Sequence, residues 1–277
     1  MTVIAMTQEM GSLAKDVALE LAGALNLSVM RKEVVQNVAG KMHVPTSLIS
    51  RLREGKAGFI ERATTDKERV AIYTAEEVFE LANEGNVILR GWGSTCLLRP
   101  VPHVLSVRIM RSLPKRVEWL MHYLDTDDRE LCEAEILRSD AAHASSIQQQ
   151  FGVTWGDPQL YDIVLNTDRL SVAACVDQIK LLCSRPEFKL NEESHEILAG
   201  LTLSARVRAA LKFEEPTKDV NITIEAKKGI VTLTGIVLNE GERSEVERVT
   251  SRVLGVTGVE DKLRVMTTFR RFTYAKT

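Results

Sequence analysis

The residues Thr7-Gln8-Glu9-Met10-Gly11-Ser12-Leu13-Ala14-Lys15 suit one kind of chemistry, the holding of an anion. The apolar run Val3-Ile4-Ala5-Met6 before them reads as a short buried strand, and residues 16–25 after them carry Val17, Leu21 and Leu25 at helical spacing. A tight turn from strand into helix presents backbone N–H groups that have no partner inside the helix, and the helix dipole favours negative charge there. Gly11 and Ser12 lie in this turn. Lys15 sits where a cation completes a cradle for phosphate, and Asp16 beside it is the candidate carboxylate for a metal ion. The strict pattern G-x-x-x-x-G-K-[ST] is nevertheless absent. Counted back from Lys15, its glycine positions hold Glu9 and Ala14, and its Ser/Thr position holds Asp16.

The elements that must position this turn follow a strand-and-helix alternation. After the first helix, residues 27–29 read as an edge strand and residues 32–42 as a helix. Pro45 opens another short helix with Leu48, Ile49 and Leu52, and residues 71–83 form a longer amphipathic one. Val87-Ile88-Leu89 reads as a central parallel strand ending in Arg90-Gly91-Trp92-Gly93, and residues 103–109 as the next strand. In a doubly wound parallel sheet the ligand cleft lies at the C-terminal strand ends, so Arg90 points toward the cleft of the Lys15 turn. Residues 114–124 read as a helix carrying Lys115 and Arg116. Residues 126–128 cap a helix from 129 to about 139, and 140–152 are helical in pattern but poor in large apolar residues. Ile163-Val164-Leu165 is the last strand, and Ser171 caps a final helix to Cys183. A polar connection begins at Ser184.

Composition excludes several classes. The 277 residues are 44% hydrophobic and 27% charged, as in a globular protein with room for a large α/β domain and a smaller one. A formal charge of −2 gives no overall bias toward nucleic acid or an anionic membrane. No apolar window approaches the roughly 20 residues of a membrane span, and the start of the chain does not read as a signal peptide, so a cytoplasmic location is expected. Cys96, Cys132, Cys175 and Cys183 have neither C-x-x-C spacing nor histidine partners, and are expected to be reduced and buried.

Residues 1–183 resemble the cytidylate-kinase-like family, a branch of the P-loop nucleoside monophosphate kinases. The resemblance is carried by Gln8-Glu9-Met10-Gly11-Ser12, Arg90-Gly91-Trp92-Gly93, Arg116-Val117-Glu118, Phe151-Gly152-Val153-Thr154-Trp155 and, most specifically, the run from Tyr161-Asp162-Ile163 through Asn166-Thr167-Asp168 to Ser171. It implies phosphoryl transfer from ATP to CMP or a related nucleotide with Mg²⁺. Lys15, Arg90 and Arg116 would be catalytic, Gly11, Ser12, Lys15, Asp16, Gly91 and Gly93 cofactor-binding, and Asp140, His143, Asp162, Asn166 and Thr167 would belong to the substrate and lid region. This chain departs from the family at three places. The family's Gly-Ser-Gly-Gly-Arg-Glu is Gly11-Ser12-Leu13-Ala14-Lys15-Asp16, the lid arginine three residues after Asp140 is His143 with Gln148 and Gln149 beyond, and the family's Asp-Lys-Glu is Arg31-Lys32-Glu33. An imidazole and two amides do not replace guanidinium forks around a transferring phosphoryl group. These losses predict weakened or abolished catalysis. Asp162, Asn166 and Thr167 also have a plainer reading, as residues that tie the last turn together by side-chain to backbone bonds.

From residue 201 the pattern changes to helix, strand, strand, helix, strand. Leu203, Val207 and Leu211 share a helix face, a hairpin turns at Lys227-Lys228-Gly229 into residues 230–237, residues 240–254 form a helix with Val246, Val249 and Val253 on one face, and a strand runs through Val265. With Gly229 through Gly235 and Leu254 through Val259, this resembles a BON domain, which implies contact with phospholipid or a partner protein. The expected architecture is an α/β P-loop kinase-like parallel sheet flanked by helices (1–183), a linker (184–198), a small α+β BON-like domain (199–267) and a basic, aromatic tail (268–277). Three functions remain open: a nucleotide-binding regulatory protein, a kinase with a reduced phosphate cage, and a non-catalytic phospholipid- or protein-binding module.

Overall fold

A computed structural model describes residues 1–30, 32–53 and 56–266; Arg31 and the tail 268–277 lie outside the described residues. The chain forms two compact units that divide between Leu198 and Ala199.

In the first unit, β1 (Val3–Gln8) leads into α1 (Ala14–Leu25), β2 (Ser28–Met30), α2 (Lys32–Met42), α3 (Thr46–Arg53), α4 (Phe59–Thr64) and α5 (Lys67–Glu84). Then come β3 (Val87–Arg90), α6 (Ser94–Leu97), β4 (Val104–Met110), α7 (Leu113–Leu124), α8 (Arg129–Phe151), β5 (Ile163–Asn166) and α9 (Val172–Ser184). The strands form a parallel sheet in the order β2-β3-β1-β4-β5. β1 is central: Met6 lies opposite Arg90 of β3 on one side and Val107 of β4 on the other. That position explains why residues 3–6 are an unbroken apolar run, since a strand of a covered parallel sheet is buried on both faces. Ile4, Met6, Val17, Leu21, Ile88, Val107, Ile109, Val176 and Ile179 form one core cluster that binds α1 and α9 to the sheet.

Several boundaries differ from the periodicity. α5 begins at Lys67 because the Asp66 side chain accepts from the Arg69 N–H at 3.0 Å and caps it. α4 and α6, each too short to show a period, were not legible. α8 runs unbroken through residues 140–151 and ends at Gly152 in the left-handed region, so the weakly apolar lid segment is a continuation of the preceding helix. The polar stretch 184–198 does not form the expected linker. It holds a 3-10 turn at Pro186–Phe188 and the start of α10 (Glu192–Phe213). Asn191 and Ser194 exchange backbone and side-chain hydrogen bonds at 2.8 and 3.1 Å at that start, and the polarity read as linker belongs to the exposed residues Asn191, Glu192, Glu193 and His195. All four cysteines are free, but only Cys132 and Cys175 are buried; Cys96 and Cys183 are half-buried.

The second unit holds α10 from Ala199 on, β6 (Thr223–Lys227), β7 (Ile230–Val237), α11 (Glu240–Ser251) and β8 (Gly258–Val265), with strand order β6-β7-β8. β6 and β7 are antiparallel and β7 and β8 parallel. The hairpin turn has positive φ at both Lys228 (49°) and Gly229 (84°), which matches the right-handed twist of its strands. Val207, Leu211, Val231, Leu233, Val246 and Leu263 fill its core. Among the described residues of the chain, no helix is long and apolar enough to cross a membrane.

One buried group makes the first unit sensitive to acid. His103, in the turn entering β4, is 2% exposed, and neither ring nitrogen has a hydrogen-bond partner among the described residues. Burial lowers its pKa from the ordinary 6.5, helped by His195 and the Met1 amino group. Its folded value therefore lies below its unfolded one, so the stability it permits is complete above about pH 6.5 and is lost as pH falls through the folded value. Urea midpoints are expected to drop between pH 7.5 and 5, and His103→Met is expected to shrink that drop. An unchanged drop in the variant would assign the acid sensitivity elsewhere.

Candidate active site at the strand-to-helix turn

The turn after β1 closes on itself before α1 begins. Ser12 N–H donates to the Glu9 carbonyl at 3.3 Å, and Asp16 and Val17 N–H both donate to the Leu13 carbonyl at 3.0 Å. Gly11 has φ 78°, and a Cβ there would lie 3.1 Å from the Trp119 ring and 3.2 Å from the Arg116 backbone, so only glycine lets α7 approach this closely. Leu13 has φ 61° and ψ 13°. The glycine missing from the sequence pattern is thus missing from a site whose backbone keeps the glycine-like conformation. Ala14 enters the core cluster without strain. Thr167 braces the turn from behind: its hydroxyl donates to the Ser12 carbonyl at 2.9 Å.

Beneath the turn lies a knot of buried charge. The Glu9 carboxylate accepts from Arg108 Nη2 at 2.9 Å and from the Arg111 N–H at 3.1 Å, with Arg116 Nε 3.7 Å away. Arg108 also donates to the Trp155 carbonyl at 2.7 Å and stacks on the Trp155 ring 4.4 Å from its centroid. The Tyr161 hydroxyl donates to that same carbonyl at 2.6 Å; burial raises its pKa against the pull of Arg108. Arg116 spends its fork on Asp140 of α8, at 3.1 and 2.8 Å.

Above the knot opens a cleft of about 1100 Å³. Gly11, Ser12, Lys15, Asp16, Arg90, Gly91, Asp140 and His143 line it. Lys15 and Asp16 are exposed at the start of α1, and the buried Ser12 hydroxyl has no partner among the described residues. Arg90 is 5% exposed and donates to Gln8 Oε1 through Nε and Nη2 at 3.2 and 2.9 Å. His143 packs against Trp155, ring centroids 5.2 Å apart. Across the cleft, Lys56 pairs with Glu135 of α8 at 3.1 Å; burial raises the Glu135 pKa, but Arg138 and Lys56 outweigh it and hold the carboxylate below its usual range.

Five of the expected site residues do not line the cleft. Arg116 is turned into the knot. Gly93, φ 66°, faces Phe151, whose ring lies 2.6 Å from where its Cβ would be. Asp162 precedes β5 and accepts from the Ser106 N–H at 2.7 Å, at the strand end opposite the cleft. Asn166 accepts from the Asp168 N–H at 2.9 Å, and Thr167 lies behind the turn. All three bond side chain to backbone, but only Asn166 does so within its own turn; Asp162 and Thr167, on either side of β5, tie it to Ser106 of β4 and to Ser12. Glu9 and Arg108 were missed as organisers of the site; so were Trp119 and Tyr123, whose i, i+4 spacing, offset from buried Val117 and Leu120, was the available signal.

A phosphate group suits this turn: an orphaned hydroxyl, a helix N-terminus and Lys15 converge on it. For Mg²⁺, Asp16 would be the one carboxylate at the turn, and no group of three or more His, Cys, Asp or Glu among the described residues is placed to hold a metal ion. Mg²⁺ is commonly held by one or two carboxylates together with substrate phosphates, so Asp16 is the residue that fits it.

Two substitutions test the local energetics. Leu13→Gly is expected to be about 1 kcal/mol more stable than Leu13→Ala by urea denaturation, since both remove the side chain and only glycine relieves the left-handed backbone. Glu9→Gln is expected to cost about 3 kcal/mol, because it leaves two buried guanidinium groups facing a neutral amide. A loss under 1 kcal/mol would show that the knot contributes little.

The model of the cytidylate kinase-like family matches residues 3–169, and that of the BON domain matches residues 201–267. Among curated proteins, the osmotically-inducible protein Y of Escherichia coli is 36% identical over 63 residues, 23% of this chain and 31% of that protein, so the chain spans about a third of that relative's length. Among solved structures, an uncharacterized protein from Eubacterium ventriosum is similar with a TM-score of 0.53 at 20% identity, covering 67% of this chain and 100% of its own. A shikimate kinase from Bacteroides thetaiotaomicron gives a TM-score of 0.40 at 15% identity over 66% of this chain and 99% of its own. The chain belongs to the cytidylate kinase-like family and carries a BON domain after its kinase-like fold.

Proposed function

We propose that the kinase-like domain, residues 1–183, binds a nucleotide by its phosphates at the turn and serves as a regulatory element with little or no phosphotransferase activity. The BON domain, residues 199–267, passes that state to a protein partner or a phospholipid surface. The turn's backbone N–H groups, the Ser12 hydroxyl and Lys15 would hold the phosphates, with Asp16 toward Mg²⁺. ATP, when bound, supplies the transferable phosphoryl group, and CMP or a related nucleotide is the acceptor the family implies.

The commitment of Arg116 to Asp140 carries the reading of weak catalysis. Phosphoryl transfer leaves little covalent work to the protein and depends on positive charge aimed at the developing transition state. A guanidinium already forked onto a carboxylate offers less of that charge. His143 and the exposed Gln148 and Gln149 of α8 add no fixed charge where the family has arginine and other basic residues.

Calorimetric titration with ATP, CMP and the pair, with and without Mg²⁺, tests the reading on wild type and Lys15→Ala. ATP is expected to bind, Lys15→Ala to weaken it by roughly 10- to 100-fold, and a coupled turnover assay on the same samples to stay near background. Lys15-dependent turnover at ordinary kinase rates would replace the regulatory reading with an active kinase. No heat at millimolar nucleotide would remove both and leave the BON domain as the functional part.

A further inference from the structure

The cleft has a second character beside its charges. Leu19, Tyr123, Leu124 and Leu131 are all more than half exposed, Tyr123 at 72%, and all line it together with Trp119. Large apolar side chains left in water side by side mark a surface that something covers.

Their arrangement narrows what that is. Trp119 and Tyr123 are one helical turn apart on α7 and stack with ring centroids 5.2 Å apart and planes within 10°. α7 cannot readily rotate them away, because Val117 and Leu120 are packed with Cys132 and Ile136 of α8 in a separate core cluster. The indole also abuts Gly11, so the flat apolar surface begins where the anion-binding turn ends. A platform of parallel rings adjoining an anion cradle suits a ligand in which a planar aromatic ring is joined to phosphates.

We infer that Trp119 and Tyr123 form a base-stacking platform for the nucleotide, with Leu19, Leu124 and Leu131 as its apolar surround. This rests on the proposed nucleotide reading and adds to it the residues that recognise the base. Trp119 supplies the inner ring next to the phosphates, and Tyr123 extends the stacked surface outward.

The test separates ring from phosphate. Wild type, Trp119→Ala and Tyr123→Ala are titrated with ATP and with inorganic tripolyphosphate, which carries the charge without the base. Wild type is expected to bind ATP about 10-fold more tightly than tripolyphosphate, and Trp119→Ala to abolish that difference. Tyr123→Ala, whose ring is mostly in water, is expected to keep the fold and to weaken ATP about threefold without changing tripolyphosphate. Equal affinity of wild type for the two ligands would overturn the platform while leaving phosphate binding intact. Loss of tripolyphosphate binding in Trp119→Ala, with Tyr123→Ala unchanged for both ligands, would make Trp119 a support of the turn and likewise overturn it. Binding of neither ligand by wild type would overturn both this inference and the reading beneath it.

Discussion

A carboxylate largely withdrawn from water needs positive charge and hydrogen bonds around it, and Glu9 is such a carboxylate. Its side chain is 11% exposed, against 7% for each of Arg108 and Arg116. Meeting its needs brings β4, the start of α7 and the turn after β1 to one point. Asp140 then draws in α8 through the far side of Arg116. The turn after β1 is therefore held from below by these ion pairs as well as by its own backbone hydrogen bonds. Leu13, whose carbonyl accepts from Asp16 and Val17 N–H, sits within this support at φ 61°, where free chain would avoid it.

The same arrangement divides the cations between architecture and cleft. Arg108 and Arg116 are held by carboxylates, Arg90 by Gln8, and Lys15 stands exposed at the helix start. A guanidinium forked onto a carboxylate is worth most to stability and least to an arriving anion, since the anion must compete with a partner already in place. The apolar side of the cleft compensates by offering contact area that does not depend on charge. Under the proposed reading, binding and transfer would be separable in this cleft, the first drawing on the helix terminus and the aromatic surface, the second on guanidinium groups largely engaged elsewhere.

The elements whose signal is local were legible in the sequence. Residues 3–6 read as a buried strand, Val17 and Leu21 as a helix face, Lys228-Gly229 as a hairpin turn, and the order of strands and helices gave both folds. Charge pairing left no such trace: Glu9 and Arg108 are 99 positions apart, and nothing near either announces the other. Arg116 was assigned to the cleft because residue type and family position say nothing about which way a guanidinium turns. Asp162 could have been placed correctly from topology alone, since it precedes β5 and the cleft of a parallel sheet lies beyond the opposite strand ends. The polar segment before α10 misled because composition does not distinguish a solvated helix face from a linker.

Thr167 and Trp155 carry a consequence for how the protein comes into being. The Thr167 hydroxyl reaches the Ser12 carbonyl across 155 positions, and the Trp155 indole reaches the Thr7 hydroxyl across 148. A chain made from its amino end exposes the turn first and its braces last. Until β5 has left the ribosome, the residues that would grip phosphate have no back support, and the strained Leu13 has little to hold it. The turn after β1 is therefore among the last parts of its domain to gain its full set of contacts, and a chain cut before Trp155 would lack both braces.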